Sequence, residues 1–368
     1  MKIASIVGAR PQFVKLAPLC RAVEQANETR GAGFQHQIIH TGQHYDDDMS
    51  GVFFDEMQIP KPDFDLGVGS KSHAEQTGEL LVGLERVYLE EKPDVIVIFG
   101  DTNSTLAAAL AAAKLHIPIA HVEAGLRSGD RRMPEEINRI VSDHVAALNL
   151  APTEQAMANL AEEGLSNTAV LTGDIMLDAV RQHSAIAASR KTYERYDLEP
   201  GQYGIVTVHR AENTTPDKLP SLIQGLVSVA DSGVKLLVPL HPRTANVVEA
   251  MGGLPEHPGI RWTGPLGYLD MIDALSNAQL AITDSGGVQR EAYFLNVPCV
   301  TARETTEWPE TIAEQANVMV GTDSDKLVAA VGKWTNGNGY DFRASVERQF
   351  GDGTTAFKIL DEVKSRLA

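Results

Sequence analysis

At 368 residues the chain has room for two domains of about 150 residues or more, and with 43% hydrophobic and 22% charged residues it is not a disordered chain. A formal charge of −17 disfavours nucleic acid and anionic membranes as partners, because both need a basic face; an anionic ligand must instead be held by a local cluster of cations. No apolar run reaches the ~18 residues of a membrane span, the opening MKIASIVGARPQF lacks a signal core, and the two cysteines, Cys20 and Cys299, cannot form a disulfide framework, so a cytoplasmic location is expected.

In chain order, the apolar runs KIASIVG, HQIIHTG, DVIVIFGD, PIAHVEA and AVLTGD predict strands. Between them lie amphipathic patterns such as PQFVKLAPLCRAVEQA and NSTLAAALAAAKL, which predict helices. A polar stretch then follows from Asp178 to Gln202, with Pro-Gly near its end, and is the expected boundary between domains. Beyond it the scheme repeats with YGIVTVHR, VKLLVPLH, QLAITDSGG, VPCVTA and ANVMVG. Short β-rich runs alternating with helices predict an α/β fold with parallel sheets covered on both faces.

Open parallel sheets bind ligands beyond the carboxyl ends of their strands, so the residues just after each run are the candidate site. Asp284-Ser285-Gly286-Gly287 lies between a strand and a helical pattern, where bare amides at a helix start can approach an anion; it can equally be a tight βα turn. Arg10 and Lys15 after the first strand, with His209, Arg210, His241 and Arg243 from the second half, add cations and point to a diphosphate. A dinucleotide cofactor does not fit. The first turn, Gly8-Ala9-Arg10-Pro11, lacks two glycines of G-x-G-x-x-G, and no Walker-type loop is present.

Carboxylates make the other half: Asp101 and Glu123 end neighbouring strands, and Glu135 in RMPEEINR starts a helix soon after. Crowded carboxylates raise one another's pKa and can serve as acid or base. Each also has a structural reading, Asp101 as a helix cap, Glu135 as a favourable charge at a helix N-terminus, and Glu123 as a partner of Arg127. His40, His44 and Asp46 to Asp48 supply metal-binding atoms, but three consecutive aspartates fit a solvated loop better, and no metal is expected.

Taken together, GARPQFVKLAPL, FGDTNSTLAAALAA, HVEAGLRSGDRRMPEEINR, LTGD, VHRAEN, TDSGGVQREA, ETTEWPE and GDG resemble the non-hydrolysing UDP-N-acetylglucosamine 2-epimerases, in the family's order from residue 3 to 353. The resemblance implies two Rossmann-like doubly wound domains in a GT-B arrangement with an interdomain active-site cleft. The implied divisions are residues 1–178, with the acidic catalytic residues, 179–353, which bind UDP, and 354–368, a helix packing back on the first domain. It further implies elimination of UDP to 2-acetamidoglucal and readdition to give the mannosamine epimer, with no cofactor, on a cytoplasmic homodimer with a UDP-sugar as substrate. Residue by residue, Asp101, Glu123, Glu135 and His209 match the catalytic positions, and Arg10, Lys15, Ser285, Gly286 and Glu291 match substrate contacts; Arg210, His241 and Gly287 join these from the cluster above. Glu136 is expected to be a structural or ligand-binding neighbour.

Three departures stand out against the resemblance: Gln12 where many members have Glu, Ala211 where they have Arg, and Trp308 at a usual Arg position. With GARPQF and PLGYLDMI they resemble the subgroup acting on UDP-2,3-diacetamido-2,3-dideoxy-glucuronate, which is the alternative substrate. Thr102 argues against the hydrolysing branch. A GT-B glycosyltransferase would share the fold, and a nucleotide-sugar binding protein would not need the acidic trio. Many bacterial members also bind a second, activating nucleotide sugar through a Gln-His turn and two arginines. Gln43 and His44 are present here, but Glu75 and Ala211 stand at the arginine positions, so simple hyperbolic kinetics are expected.

Overall fold

The computed structural model describes residues 1–42, 54, 56–335 and 339–367. The chain divides into two compact units, Met1–Ala179 with Gln349–Ala368, and Val180–Arg348.

The first unit holds a seven-stranded sheet of β1 (Lys2–Val7), β2 (Gln35–His40), β3 (Phe64–Asp65), β4 (Val95–Phe99), β5 (Ile119–Val122), β6 (Leu148–Ala151) and β7 (Ala169–Leu171). Their spatial order is β3-β2-β1-β4-β5-β6-β7, with every pairing parallel. The five residues of β4, VIVIF, are all buried, as a strand covered on both faces requires. On one face, Leu80 and Leu84 from the helix His73–Glu91 and Ala107, Ala108 and Ala111 from the helix Asn103–Lys114 pack on Ile6, Ile96 and Ile98. Alanine on the second helix lets it lie close against the first.

The second unit carries β8 (Tyr203–Thr207), β9 (Lys235–Pro239), β10 (Ile260–Thr263), β11 (Leu280–Thr283), β12 (Cys299–Thr301) and β13 (Asn317–Met319) in the order β10-β9-β8-β11-β12-β13, again all parallel. Its core joins Tyr203, Ile205 and Leu237 to Ala274, Ala281 and Cys299. Burial pushes the Cys299 thiol up to about 12, and Cys20 likewise, so both are apolar core residues rather than reactive groups. Both sheets are thus Rossmann-like, and each has one switch point: between β1 and β4 in the first, and between β8 and β11 in the second. Among the described residues no helix is long and apolar enough to cross a membrane.

The polar stretch read as the boundary between domains is structured. The chain passes from one unit to the other inside the helix Ile175–Ala187, and residues Thr192–Tyr196 form a 3-10 turn. Arg190 and Arg195 both reach Asp270, and the Thr192 N–H donates to Asp273, so charged residues that suggested solvent exposure tie this turn to the second unit. The chain returns to the first unit at Gln349, where the helix Thr355–Leu367 packs against the helix Arg10–Arg30, with Arg30 over the Phe357 ring.

Buried Asp178 receives the Ala356 N–H at 2.9 Å at the start of that last helix. Burial pushes its carboxyl up to about 6, against the pull of hydrogen bonds from Ala356 and Thr355 and with a small further rise from Asp174. A carboxyl raised in the folded state keeps a proton that the unfolded chain has released, so stability falls as pH rises from about 4 through about 6. Asp178→Asn should therefore gain on the order of 1 to 2 kcal/mol at pH 8, with most of the gain gone at pH 4.5, as read by urea unfolding at the two pH values.

Candidate functional site

At the first switch point β1 and β4 diverge, and the turns that follow them are tied together by one side chain. Gln12, 1% exposed, accepts from the Gly8 and Ala9 N–H groups at 2.8 and 3.0 Å, and its amide nitrogen lies 2.9 Å from the Phe99 carbonyl and 3.1 Å from the hydroxyls of Thr102 and Thr105. Only a residue carrying both an acceptor and a donor can join these groups. Gly8 has no room for a side chain: a Cβ would fall 1.9 Å from Thr41 Oγ1 and 2.7 Å from Ser104 Oγ.

Asp101 follows β4 but does not cap the next helix. Thr102 is the cap, accepting from the Thr105 N–H. The Asp101 carboxylate instead takes two bonds from Arg139, at 3.0 and 2.6 Å, while Asn138 donates to its carbonyl at 2.9 Å. Arg139 also donates to Glu136 at 3.0 Å. Glu136, 2% exposed, accepts from the Ser128 and Gly129 amides and so pins the loop before its helix. Burial pushes its carboxyl up, but those amides, the Ser128 hydroxyl and Arg139 outweigh burial and hold it below the usual range.

Glu123 follows β5 with φ 73°, a left-handed conformation that is strained for a side chain of this kind. Its carboxylate is ion-paired with Lys15, and both are buried. The expected pairing with Arg127 does not occur, because that guanidinium serves Asp143 and Glu163. Lys15 accordingly faces a carboxylate, and its charge is committed within the first unit. Gly100 stands against this pair, where a Cβ would lie 3.2 Å from Lys15 Nζ and 3.4 Å from Glu123 Oε2. Glu135 is exposed in the first turn of the helix Pro134–Val145, after Pro134, and Arg10 is exposed at the first position of the helix Arg10–Arg30.

At the second switch point fully buried Asp284 organises the turn after β8. It accepts from the His209 N–H at 3.1 Å, the Arg210 N–H at 3.0 Å and Asn213 Nδ2 at 3.1 Å, and it lies 3.1 Å from His209 Nδ1. Burial pushes the Asp284 carboxyl up, yet His209 and these donors hold it below the usual range. The ring thus presents Nδ1 to Asp284 and leaves Nε2 to the site, with the exposed His241 ring centred 5.7 Å away. Ser285 caps the helix Gly286–Phe294 through the Val288 amide, so the Gly286 and Gly287 amides sit in a first turn with no intrahelical acceptor. Behind the turn, Glu307 makes a two-pronged pair with Arg303 at 2.8 and 3.0 Å and stands 3.9 Å from Arg210. Trp308 stacks under the Arg290 guanidinium at 4.1 Å, and Glu291 is buried in the helix. The Arg243 side chain, Gln43, His44 and Asp46 to Asp48 lie outside the described residues.

Each unit therefore places functional groups at the carboxyl ends of the strands beside its switch point: carboxylates in the first, and a histidine, an arginine and helix-start amides in the second. Both units are thus α/β folds with charged and polar groups gathered at a switch point. The family model described as UDP-N-acetylglucosamine 2-epimerase matches residues 26–364. A UDP-N-acetylglucosamine 2-epimerase homolog of Methanococcus maripaludis is 42% identical over 372 residues, covering 99% of this chain and 100% of that one. The UDP-2,3-diacetamido-2,3-dideoxy-D-glucuronate 2-epimerase of Pseudomonas aeruginosa is 44% identical over 332 residues, 89% of this chain and 90% of that protein. A crystal structure of the Methanocaldococcus jannaschii UDP-GlcNAc 2-epimerase in complex with UDP-GlcNAc and UDP is similar with a TM-score of 0.88 at 39% identity, covering 99% of this chain and 100% of that one. The chain belongs to the UDP-N-acetylglucosamine 2-epimerase family and is an isomerase.

Sequence reasoning did not reach Arg139's hold on Asp101, the Lys15–Glu123 pair or the bracket made by Gln12. The one signal was the guanidinium on either side of the carboxylates in RMPEEINR. Removing one partner from a buried pair leaves the other charge uncompensated, so Lys15→Met should cost about 3 to 5 kcal/mol in urea unfolding, and adding Glu123→Gln should restore part of it.

Proposed function

We propose that this enzyme interconverts UDP-N-acetylglucosamine and UDP-N-acetylmannosamine. The observation that carries this reading is the division of charge: held carboxylates at the carboxyl ends of one sheet, and His209, Arg210 and the Gly286–Gly287 amides at those of the other. The C2 proton of the sugar is not next to a carbonyl, so it becomes removable only as the bond from C1 to the diphosphate oxygen ionises. That bond breaks with its electron pair leaving on UDP. Arg210, His209 and the helix-start amides, with Arg10, His241 and Ser285 as further contacts, stabilise the departing diphosphate. Glu291 is assigned to the nucleoside.

A positive, oxocarbenium-like C1 remains. A carboxylate takes the C2 proton, the C2–H electron pair becomes the C1–C2 double bond, and 2-acetamidoglucal forms. Return of a proton to the opposite face of C2, with readdition of UDP to C1, gives the epimer. Asp101, Glu123 and Glu135 are the acid and base candidates for the two faces. Arg139 and Lys15 pair with the first two and fix their directions. No ketone forms along this route, so the chemistry needs no nicotinamide.

The relative from P. aeruginosa supports a second reading, in which the substrate is UDP-2,3-diacetamido-2,3-dideoxy-glucuronate. A cytoplasmic homodimer supplying sugars for surface polysaccharide fits either substrate. Incubating the purified enzyme with each UDP-sugar, without added NAD or metal and after chelation, should give the 2-epimer of one of them by proton NMR. Release of UDP with no epimer, in the presence of a sugar acceptor, would instead indicate a glycosyltransferase. Asp101→Asn, Glu123→Gln and Glu135→Gln should each lower turnover by at least about 10²-fold while UDP binding persists. Near-normal rates in all three would make the carboxylates structural.

We further propose that no activating second nucleotide sugar is required. Glu75 is exposed, caps its own helix with Ser72 and carries a negative charge where an effector diphosphate would need a cation. Initial rates should be hyperbolic in substrate, and a sigmoidal curve would contradict this.

A further inference from the structure

Beneath the Asp101 turn lies a polar pair that the proposed reaction does not use. His121 in β5 and Asp143 in the helix Pro134–Val145 are both fully buried. The imidazole Nδ1 is 2.7 Å from Asp143 Oδ1, and Nε2 is 2.8 Å from the carbonyl oxygen of Gly100. A backbone carbonyl can only accept a hydrogen bond, and so can an ionised carboxylate. A neutral ring, with one N–H, would set a nitrogen lone pair against an oxygen at one of these two contacts.

Asp143 cannot readily supply the missing hydrogen. Its second oxygen accepts from the Gly125 N–H at 3.1 Å and lies 2.8 Å from Arg127 Nη1, both of which favour the carboxylate. Burial pushes the Asp143 carboxyl up, but His121 and Arg127 outweigh it and hold it below the usual range. Arg127 is balanced in turn by Glu163 at 2.7 Å. The charged groups facing the ring thus form one chain, Glu163, Arg127, Asp143 and His121, with alternating sign.

We infer that His121 is held as an imidazolium that donates from both ring nitrogens, and that it is a positioning residue for the Gly100–Asp101 turn. Gly100 is held at both of its peptide groups, by His121 at its carbonyl and by the Val122 carbonyl at its N–H, 3.1 Å away. Gly100 has φ at 63°, and a Cβ added there would lie 3.2 Å from Lys15 Nζ and 3.4 Å from Glu123 Oε2, so the turn sits close to that ion pair. Because the peptide is planar, anchoring the Gly100 carbonyl also sets where the Asp101 residue begins and how its carboxylate meets Arg139. The effect on catalysis rests on the epimerase reading; the protonation of the ring does not.

The test separates the two. In enzyme labelled with nitrogen-15 in histidine, at pH 8, both ring nitrogens of His121 should resonate as protonated and bonded to hydrogen, assigned by their loss in His121→Gln. If that variant does not fold, Asp143→Asn provides the assignment, since loss of the counter-charge should move one ring nitrogen to the unprotonated range. One unprotonated nitrogen in the wild-type enzyme would overturn the inference. In the folded variant, kcat on the substrate identified for the wild-type enzyme should fall by about tenfold to a hundredfold, with KM and the Kd for UDP within about twofold, because the defect is one of alignment. An unchanged kcat, or a matching loss of UDP affinity, would overturn the positioning role. A wild-type enzyme inactive on both UDP-sugars would refute the epimerase reading and leave the NMR result standing.

Discussion

An anion at the carboxyl end of a buried parallel strand has to be neutralised from behind, and this requirement organises both units. Removing a carboxylate from water costs several kcal/mol unless a cation or amides replace the water. Each carboxylate at the switch points and beneath them has such a partner: Glu123 has Lys15, Asp101 has Arg139, Asp143 has His121 and Arg127, and Asp284 has three N–H donors and a histidine. Their partners come from elements distant in sequence, so the local fold and the placement of functional groups are set by the same contacts.

The same requirement separates the two halves of the proposed chemistry. In the first unit Lys15, Arg127 and Arg139 face inward and serve carboxylates, while Arg10 is exposed. In the second, Asp284 faces inward and serves His209 and the amide of Arg210, leaving a ring nitrogen and a guanidinium for a diphosphate. In the proposed reaction the acid and base candidates thus stand in one sheet, and the groups assigned to the leaving group stand in the other. An elimination and readdition needs both kinds.

Much of this was legible in the sequence because it is local. Alternating β-rich runs and helices pointed to the α/β class, and the residues after each run included those at both switch points, since strand ends are easily read from apolar runs. The non-local pairings were hidden. Gln12 reads as an ordinary helix residue until Phe99 is brought beside it, and His121 and Asp143 lie on separate elements with no shared motif. Lys15 was read as one of a group of cations after strand ends, and its pairing with Glu123 could not be read from the sequence. The stretch after Asp178 was legible only as a boundary, since the partners of its charges, Asp270 and Asp273, come about 80 residues later.

The central claim is that a carboxylate removes the C2 proton only as UDP departs, so the hydrogen at C2 must exchange with solvent during epimerisation. Running the reaction to equilibrium in deuterated water and following C2 by NMR tests this directly. The account predicts deuterium at C2 in the epimer and, through the reverse reaction, in the recovered substrate. Epimer that retains its original hydrogen at C2 would contradict it.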